Sequence, residues 1–506
     1  MEQTKPTAPD TGTRDRRICW LLFLALLTCY AYFPPRWGDW NQNSRLSLVM
    51  AMVDRGTLHI EGYYDGVLQT GDYALYNGRV YSTKPPGTAF LGVPVYWGLS
   101  RVLDSRPLAT VIERIQRSET LARTLREDGS GLPDGKVRAA LALYLVTLIT
   151  VSAPSALLGV LLYRFTGHLV PEPAPRIWAV LLYGLGTGAF PYSGAFYSHQ
   201  IVAVMLFAAF ALAHRIAMDR QRPAAALGVG MLLGYAVITE HPAALIAAPL
   251  FVYLAVKQPD RRQIGLTLLG GMLPGALWVA YNLVIFGRPI AFAYEHEPLF
   301  RDVNTTGFFS LTYPQADALW GITFSSYRGL FFLSPALLAA IPGMVALARR
   351  RAWRAEFWVC LWASVAFVLF NGSSVMWQGG HAIGPRYLVP MLPFMVPPLA
   401  LAASRWGRLT WARRVLGLST SWSFLAIWAE TLGGQSFPGY TLNPLFRHSL
   451  PLLAKGDIAR NLGAALGLPG WASLLPLALA MTGIIGLLVF WTQHQTRQAI
   501  RPVGAR

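Results

Sequence analysis

Twelve runs of mostly apolar residues, bounded by clusters of charge, divide this chain: roughly 18–34, 139–163, 177–195, 199–214, 224–239, 242–256, 264–286, 329–348, 355–371, 387–404, 414–430 and 472–492. A helix crossing a bilayer takes about 20 such residues. The pattern therefore predicts an all-α polytopic membrane protein with about 12 transmembrane helices. Arg14, Arg16 and Arg17 precede the first run, and no small-residue cleavage site comes before Phe33-Pro34-Pro35, which reads as an uncleaved signal anchor.

A further run, 86–100, is short, carries Pro94 and follows Lys84, so it either crosses or lies at the interface. Orientation arbitrates. If it does not cross, the loops holding Arg215, Arg220, Arg222, Lys257, Arg261, Arg262, Arg349, Arg350, Arg351, Arg354, Arg405, Arg408, Arg413 and Arg414 share a side with the N-terminal arginines. By the positive-inside rule that side is the cytoplasm, and the run is juxtamembrane. The expected map is a cytoplasmic tail (1–17), a first span (18–34), an external loop with juxtamembrane helices (35–138), a bundle (139–430), a second external loop (431–471), a last span (472–492) and a cytoplasmic tail (493–506). Both termini are expected inside, in an inner (plasma) membrane. Within the first loop, 104–136 has mixed charge and helical spacing of Leu108, Val111, Ile112, Ile115, Leu121 and Leu125, predicting an amphipathic helix pair over the membrane. Cys19, Cys29 and Cys360 all fall in spans, leaving no external disulfide.

Composition agrees with a membrane protein: 54% of the 506 residues are hydrophobic, 13% are charged, and the mean hydropathy is +0.38. A cytosolic enzyme, a disordered regulator or a disulfide scaffold would not look like this. The net charge of +18 would by itself suggest a nucleic-acid partner. Nearly all of that excess lies in the loops assigned to the cytoplasm, where it is the signal that orients the spans, and no nucleic-acid partner is expected.

The unusual polar residues collect on the opposite side: Asp39, Arg45, Asp72, Lys84, Ser198-His199, Glu240-His241, Glu295-His296, Tyr327-Arg328, His381, Arg386 and Glu430. Ionisable residues at the mouth of a helix bundle point to a functional site; the plainer reading is solvated loop residues. Gly384-Pro385-Arg386 puts a cation at a helix start, where the dipole is already positive, and Glu240 and Glu430 put carboxylates at negative helix ends. Such placements call for partners, although His241 could satisfy Glu240 locally. Lys84 precedes the rigid Pro85-Pro86-Gly87; it is either aimed at a site or snorkelling. Ser198 is a good N-cap, which would leave His199 incidental.

These residues form a familiar order. Asn43-Ser44-Arg45 opens an amphipathic helix ending near Asp54-Arg55-Gly56-Thr57, then come Gly71-Asp72-Tyr73-Ala74 and Asn77-Gly78-Arg79-Val80-Tyr81-Ser82-Thr83-Lys84-Pro85-Pro86-Gly87. Further on stand Phe196-Tyr197-Ser198-His199, Thr239-Glu240-His241-Pro242, Ser326-Tyr327-Arg328-Gly329 and Gly384-Pro385-Arg386-Tyr387-Leu388. The chain resembles GT-C glycosyltransferases, in the branch of aminoarabinose transferases and protein O-mannosyltransferases. The resemblance implies transfer of a sugar from a polyprenyl-phosphate carrier to a lipid, glycan or protein acceptor at the outer membrane face. In that family an Asp-Glu pair just after the first span supplies the general base, and Gln42-Asn43 stand in its place here. Asp39 and Asp72 are the carboxylates left nearby. A second family acid has its position taken by His199.

On this reading Asp72 or Asp39 takes the acceptor's proton, and Lys84, Arg386, Arg45 and Arg328 stabilise the departing phosphate with no metal or other cofactor. Asn43, His199, Glu240, His241, Tyr327, His381 and Tyr387 complete the expected binding residues, with Trp40, Tyr73, Tyr81 and Trp377 as further aromatics. Two other classes fit parts of the pattern. A secondary transporter shares the twelve-span layout but should show midplane charges and related halves, neither of which appears. A catalytically inactive member that binds or flips lipid carriers fits Gln42-Asn43.

Overall fold

The computed structural model describes residues 11–34, 39–116, 135–218, 223–258, 260–434, 439 and 441–499. Among them, six helices are long and apolar enough to cross a membrane: Lys136–Gly167, Ser198–Met218, Arg261–Phe286, Arg351–Gly372, Arg386–Trp406 and Gly470–Thr492. Three shorter apolar helices, Ala224–Thr239, His241–Lys257 and Pro335–Ala348, fill further predicted runs. Helices Thr11–Tyr32, Pro173–Leu185 and Thr410–Leu432 occupy the last three. The chain is an all-α polytopic membrane protein. Leu121, Leu125, Arg220 and Arg222 lie outside the described residues, so only the first member of the predicted amphipathic pair, Arg106–Gln116, is described.

The stretch after the first span is built on helix Trp40–Asp54. Asp39 starts it by accepting hydrogen bonds from the backbone N–H of Asn41 at 2.8 Å and Gln42 at 3.4 Å, which satisfies two otherwise unpaired donors. This helix is not amphipathic as expected: every residue from Asn41 to Ala51 is buried. One side packs on the membrane bundle. The other is covered by helix Gly87–Leu103 and by a hairpin pairing Tyr73–Tyr76 with Arg79–Ser82.

The hairpin turns at Asn77-Gly78, with φ of 48° and 73°. Positive φ at both central positions defines the primed two-residue turn whose twist matches the strands. Register then places Val80 and Ser82 inward and delivers Thr83-Lys84 to the buried side. The apolar residues of this region, among them Leu46, Val49, Val80 and Tyr96, share a core with Val146, Phe196, Ile201 and Tyr281 of the bundle. The stretch after the first span is therefore welded to the bundle rather than being a module of its own.

Candidate active site

The first turns of helix Trp40–Asp54 organise the site. Asn43 donates from Nδ2 to the Gln69 carbonyl at 2.8 Å, and Thr70 donates to the Trp40 carbonyl at 2.8 Å. Ser44 Oγ lies 2.6 Å from the Asp72 carbonyl and 2.8 Å from Ser82 Oγ, which in turn accepts from the Lys84 N–H. These bonds hold Asp72 and Lys84 side by side. Their ion pair spans 2.9 Å, with each side chain 12% exposed.

Two contacts fix this unit to the bundle. Gly87, just after Pro85-Pro86, sits so close to Thr239 that a Cβ would meet Thr239 Oγ1 at 2.3 Å, and the Gly87 carbonyl accepts from Tyr235 at 3.1 Å. Only glycine fits there, and the fit brings Lys84 toward the helix end that carries Glu240. On the other side, Gln42 Oε1 accepts from the Phe196 N–H at 2.8 Å and Arg45 donates to Ser198 Oγ at 3.0 Å. Ser198, expected to cap its helix, is thus committed to Arg45.

His199 follows, and its Nδ1 lies 2.9 and 3.0 Å from the two oxygens of Glu240. This corrects the local reading of Glu240-His241. Backbone geometry turns His241 away, and its ring packs against Trp278 and Phe292 at 5.6 and 5.2 Å. Burial raises the proton affinity of the Glu240 carboxyl, but His199, Arg45 and Arg386 outweigh burial and hold it below the usual carboxylate value.

Arg45 and Arg386 are the exceptional cations of the site. Arg45 is 3% exposed and is bonded to neutral groups, Asn41 and Ser198. Arg386 donates to Tyr387 Oη at 3.1 Å and lies over the rings of Tyr387 and Tyr197, 5.0 and 5.5 Å from their centres. Among the described residues no carboxylate reaches ion-pair distance of either guanidinium, and the Nε of each is buried without a hydrogen bond. Burying a cation without a counter-ion is expensive. Arg45 is buried and Arg386 half-buried, so each leaves charge that an anion would satisfy.

Tyr327 and Arg328 act behind this wall. Arg328, fully buried, donates to the carbonyls of Gly380 and Ala382, and Tyr327 donates to the Gly439 carbonyl. They shape the loop that carries His381 and Arg386. His381 itself is exposed, at the rim of a small open cleft lined by Asp39, Gln42, Tyr192, Tyr197 and Ile383. Asp39 accepts from Tyr197 Oη there, in addition to capping its helix.

Sequence reasoning missed two groups beside Lys84. Tyr294 has its ring centre 5.9 Å from the Lys84 ammonium, and Glu297, 4% exposed, accepts from Asn304 Nδ2 at 2.9 Å. Burial raises Glu297 above the ordinary carboxylate value, with Lys84 opposing. Lys84 is pulled down by burial but raised overall by Asp72, Tyr294 and Glu297. The nearby pair Glu295-His296 was the visible signal in that segment, and its side chains point elsewhere: His296 stacks on Phe286.

No protein-family model and no curated protein matches the chain. Similar solved structures include two crystal structures of ArnT from Cupriavidus metallidurans. The apo form is 13% identical with a TM-score of 0.48, and the form bound to undecaprenyl phosphate is 14% identical with a TM-score of 0.46. Each alignment covers 96% of this chain and 76% of that one. At this distance no residue role passes from one chain to the other.

Proposed function

We propose that the protein is a membrane glycosyltransferase of GT-C type, moving a sugar from a polyprenyl-phosphate carrier to an acceptor on the external face. The observation that carries this reading is the pair of guanidiniums, buried Arg45 and half-buried Arg386, each with an Nε that is buried without a hydrogen bond and with no carboxylate partner among the described residues, next to the Lys84–Asp72 ion pair. A phosphodiester would supply the missing charge. As the bond from the anomeric carbon to the phosphate oxygen breaks, its electron pair passes to the phosphate, and preorganised cations stabilise the charge that builds there. Lys84, with donors beyond the one given to Asp72, is the third of these cations.

The acceptor is proposed to enter by the cleft of Asp39, Gln42, Tyr192 and His381. Asp39 orients groups in that cleft, and Asp72 aims Lys84. Tyr327 and Arg328 serve by shaping the loop before Arg386, and Asn43 by fixing the segment before Asp72.

The test is transfer from a radiolabelled polyprenyl-phosphate sugar by purified protein in detergent, with release of free polyprenyl phosphate as the readout. Arg45→Gln and Arg386→Gln are each expected to weaken donor binding by about tenfold or more, equivalent to ~1.4 kcal/mol. A transporter or carrier-binding protein would leave the sugar on its carrier. Wild-type protein that binds the carrier but never releases sugar from it would refute this assignment.

A further inference from the structure

The His199–Glu240 pair has the form of a proton-accepting dyad. Glu240, held ionised by its surroundings, can only accept hydrogen bonds, so the proton on Nδ1 belongs to His199 and its Nε2 carries a lone pair. That Nε2 is buried and has no hydrogen-bond partner, on a side chain only 4% exposed. A buried polar atom left unpaired costs about 1–3 kcal/mol unless a ligand completes it.

The surroundings say which ligand. The ring of Tyr387 lies 5.3 Å from that of His199, Tyr197 at 5.8 Å and Tyr192 at 6.0 Å, and the latter two also line the acceptor cleft. The charged groups acting on His199 are Glu240, Arg386 and Arg45. The imidazole is thus packed on two tyrosines that line the acceptor cleft and lies within electrostatic reach of the two guanidiniums assigned to the donor phosphate.

Resting on the glycosyl-transfer reading, we propose that His199, oriented by Glu240, is the base that removes the proton from the acceptor hydroxyl. The hydroxyl oxygen bonds to the anomeric carbon as the carbon–oxygen bond to the phosphate breaks. The electron pair leaves on the polyprenyl phosphate, and the hydroxyl proton moves to Nε2. An imidazolium beside two guanidiniums is disfavoured until the leaving phosphate gains its second negative charge, so proton transfer is coupled to bond breaking. Glu240 neutralises the imidazolium once formed. This supplies the proton acceptor that Gln42 and Asn43, as amides, cannot.

The decisive measurement is a pH–rate profile of kcat and of kcat/KM for wild type, His199→Gln and Glu240→Gln, with Asp39→Asn and Asp72→Asn in parallel. Removing a general base typically costs about 100- to 10,000-fold. His199→Gln is expected to lose at least about 100-fold in kcat, keep its donor KM, and lose the acid limb of the profile. Glu240→Gln is expected to lower kcat and displace that limb. Full turnover in His199→Gln, or an unchanged acid limb in both variants, overturns the assignment in favour of a structural role. An acid limb that vanishes in Asp39→Asn or Asp72→Asn instead moves the base there and also overturns it. Wild-type protein that transfers no sugar overturns the glycosyl-transfer reading and this inference with it.

Discussion

Lys84→Met is expected to lower transfer by about 100- to 1,000-fold, the usual cost of deleting a preorganised group that meets developing charge. It should also lower the thermal unfolding temperature in detergent, because Asp72 is then left largely buried without its partner at 2.9 Å. These two losses have different origins, and a second substitution separates them. In Lys84→Met/Asp72→Asn no ion is stranded, so the unfolding temperature is expected to recover toward wild type. Turnover is not, since the cation that faces the phosphate is still absent. If the double variant recovers both, the lysine is only half of a structural ion pair. The lysine's own contribution holds across neutral pH. Lys84 titrates above its ordinary value of 10.5 in the folded protein, so the stability it contributes is fully present below 10.5 and is lost only as pH rises through the raised value.

Sequence patterning carried far for the membrane helices and for the residues that converge. Each predicted apolar run is occupied mainly by helix, since a backbone in lipid must satisfy its polar groups internally, although 177–195 breaks after Leu185 and 329–348 breaks at Ser334. The hairpin turning at Asn77-Gly78, which delivers Lys84 to the buried side, is not among the expected elements, although Asn-Gly is the turn chemistry it uses. What the chain order could not show were contacts across long separations. Glu240 is next to His241 in sequence but bonds His199, 41 residues earlier. Glu297 and Tyr294 reach Lys84 from a segment more than two hundred residues away, with no local periodicity to mark them. Helix Trp40–Asp54 is expected to be amphipathic from its place in the resemblance, yet its polar residues, grouped at Asn41–Arg45, are buried as the hydrogen-bonding floor of the site.

Gly230→Ile is the substitution expected to be most damaging away from the chemistry. Helices Pro223–Thr239 and Arg261–Phe286 touch backbone to backbone: a Cβ at Gly230 would stand 1.9 Å from the Thr267 carbonyl, and one at Gly270 2.1 Å from the Leu227 carbonyl. Small residues at such crossings let membrane helices approach closely enough to pack. An isoleucine cannot be absorbed by a side-chain shift, because the clashing atoms are backbone, so the helices must separate at a cost of about 1–3 kcal/mol or more. The same helix ends at Thr239, which grips Gly87, and at Glu240, which holds His199. At a rise of about 1.5 Å per residue, Gly230 lies roughly 15 Å from Glu240. Gly230→Ile is therefore expected to lower the unfolding temperature and transfer together, although it touches no group of the site. Gly275→Ala, in the partner helix where an added Cβ meets nothing within 4 Å, should leave both at or slightly above wild type, since glycine inside a helix is less favourable than alanine by about 0.5–1 kcal/mol. Equal tolerance of the two substitutions, read by thermal unfolding and by sugar transfer, would show that this crossing does not position Glu240.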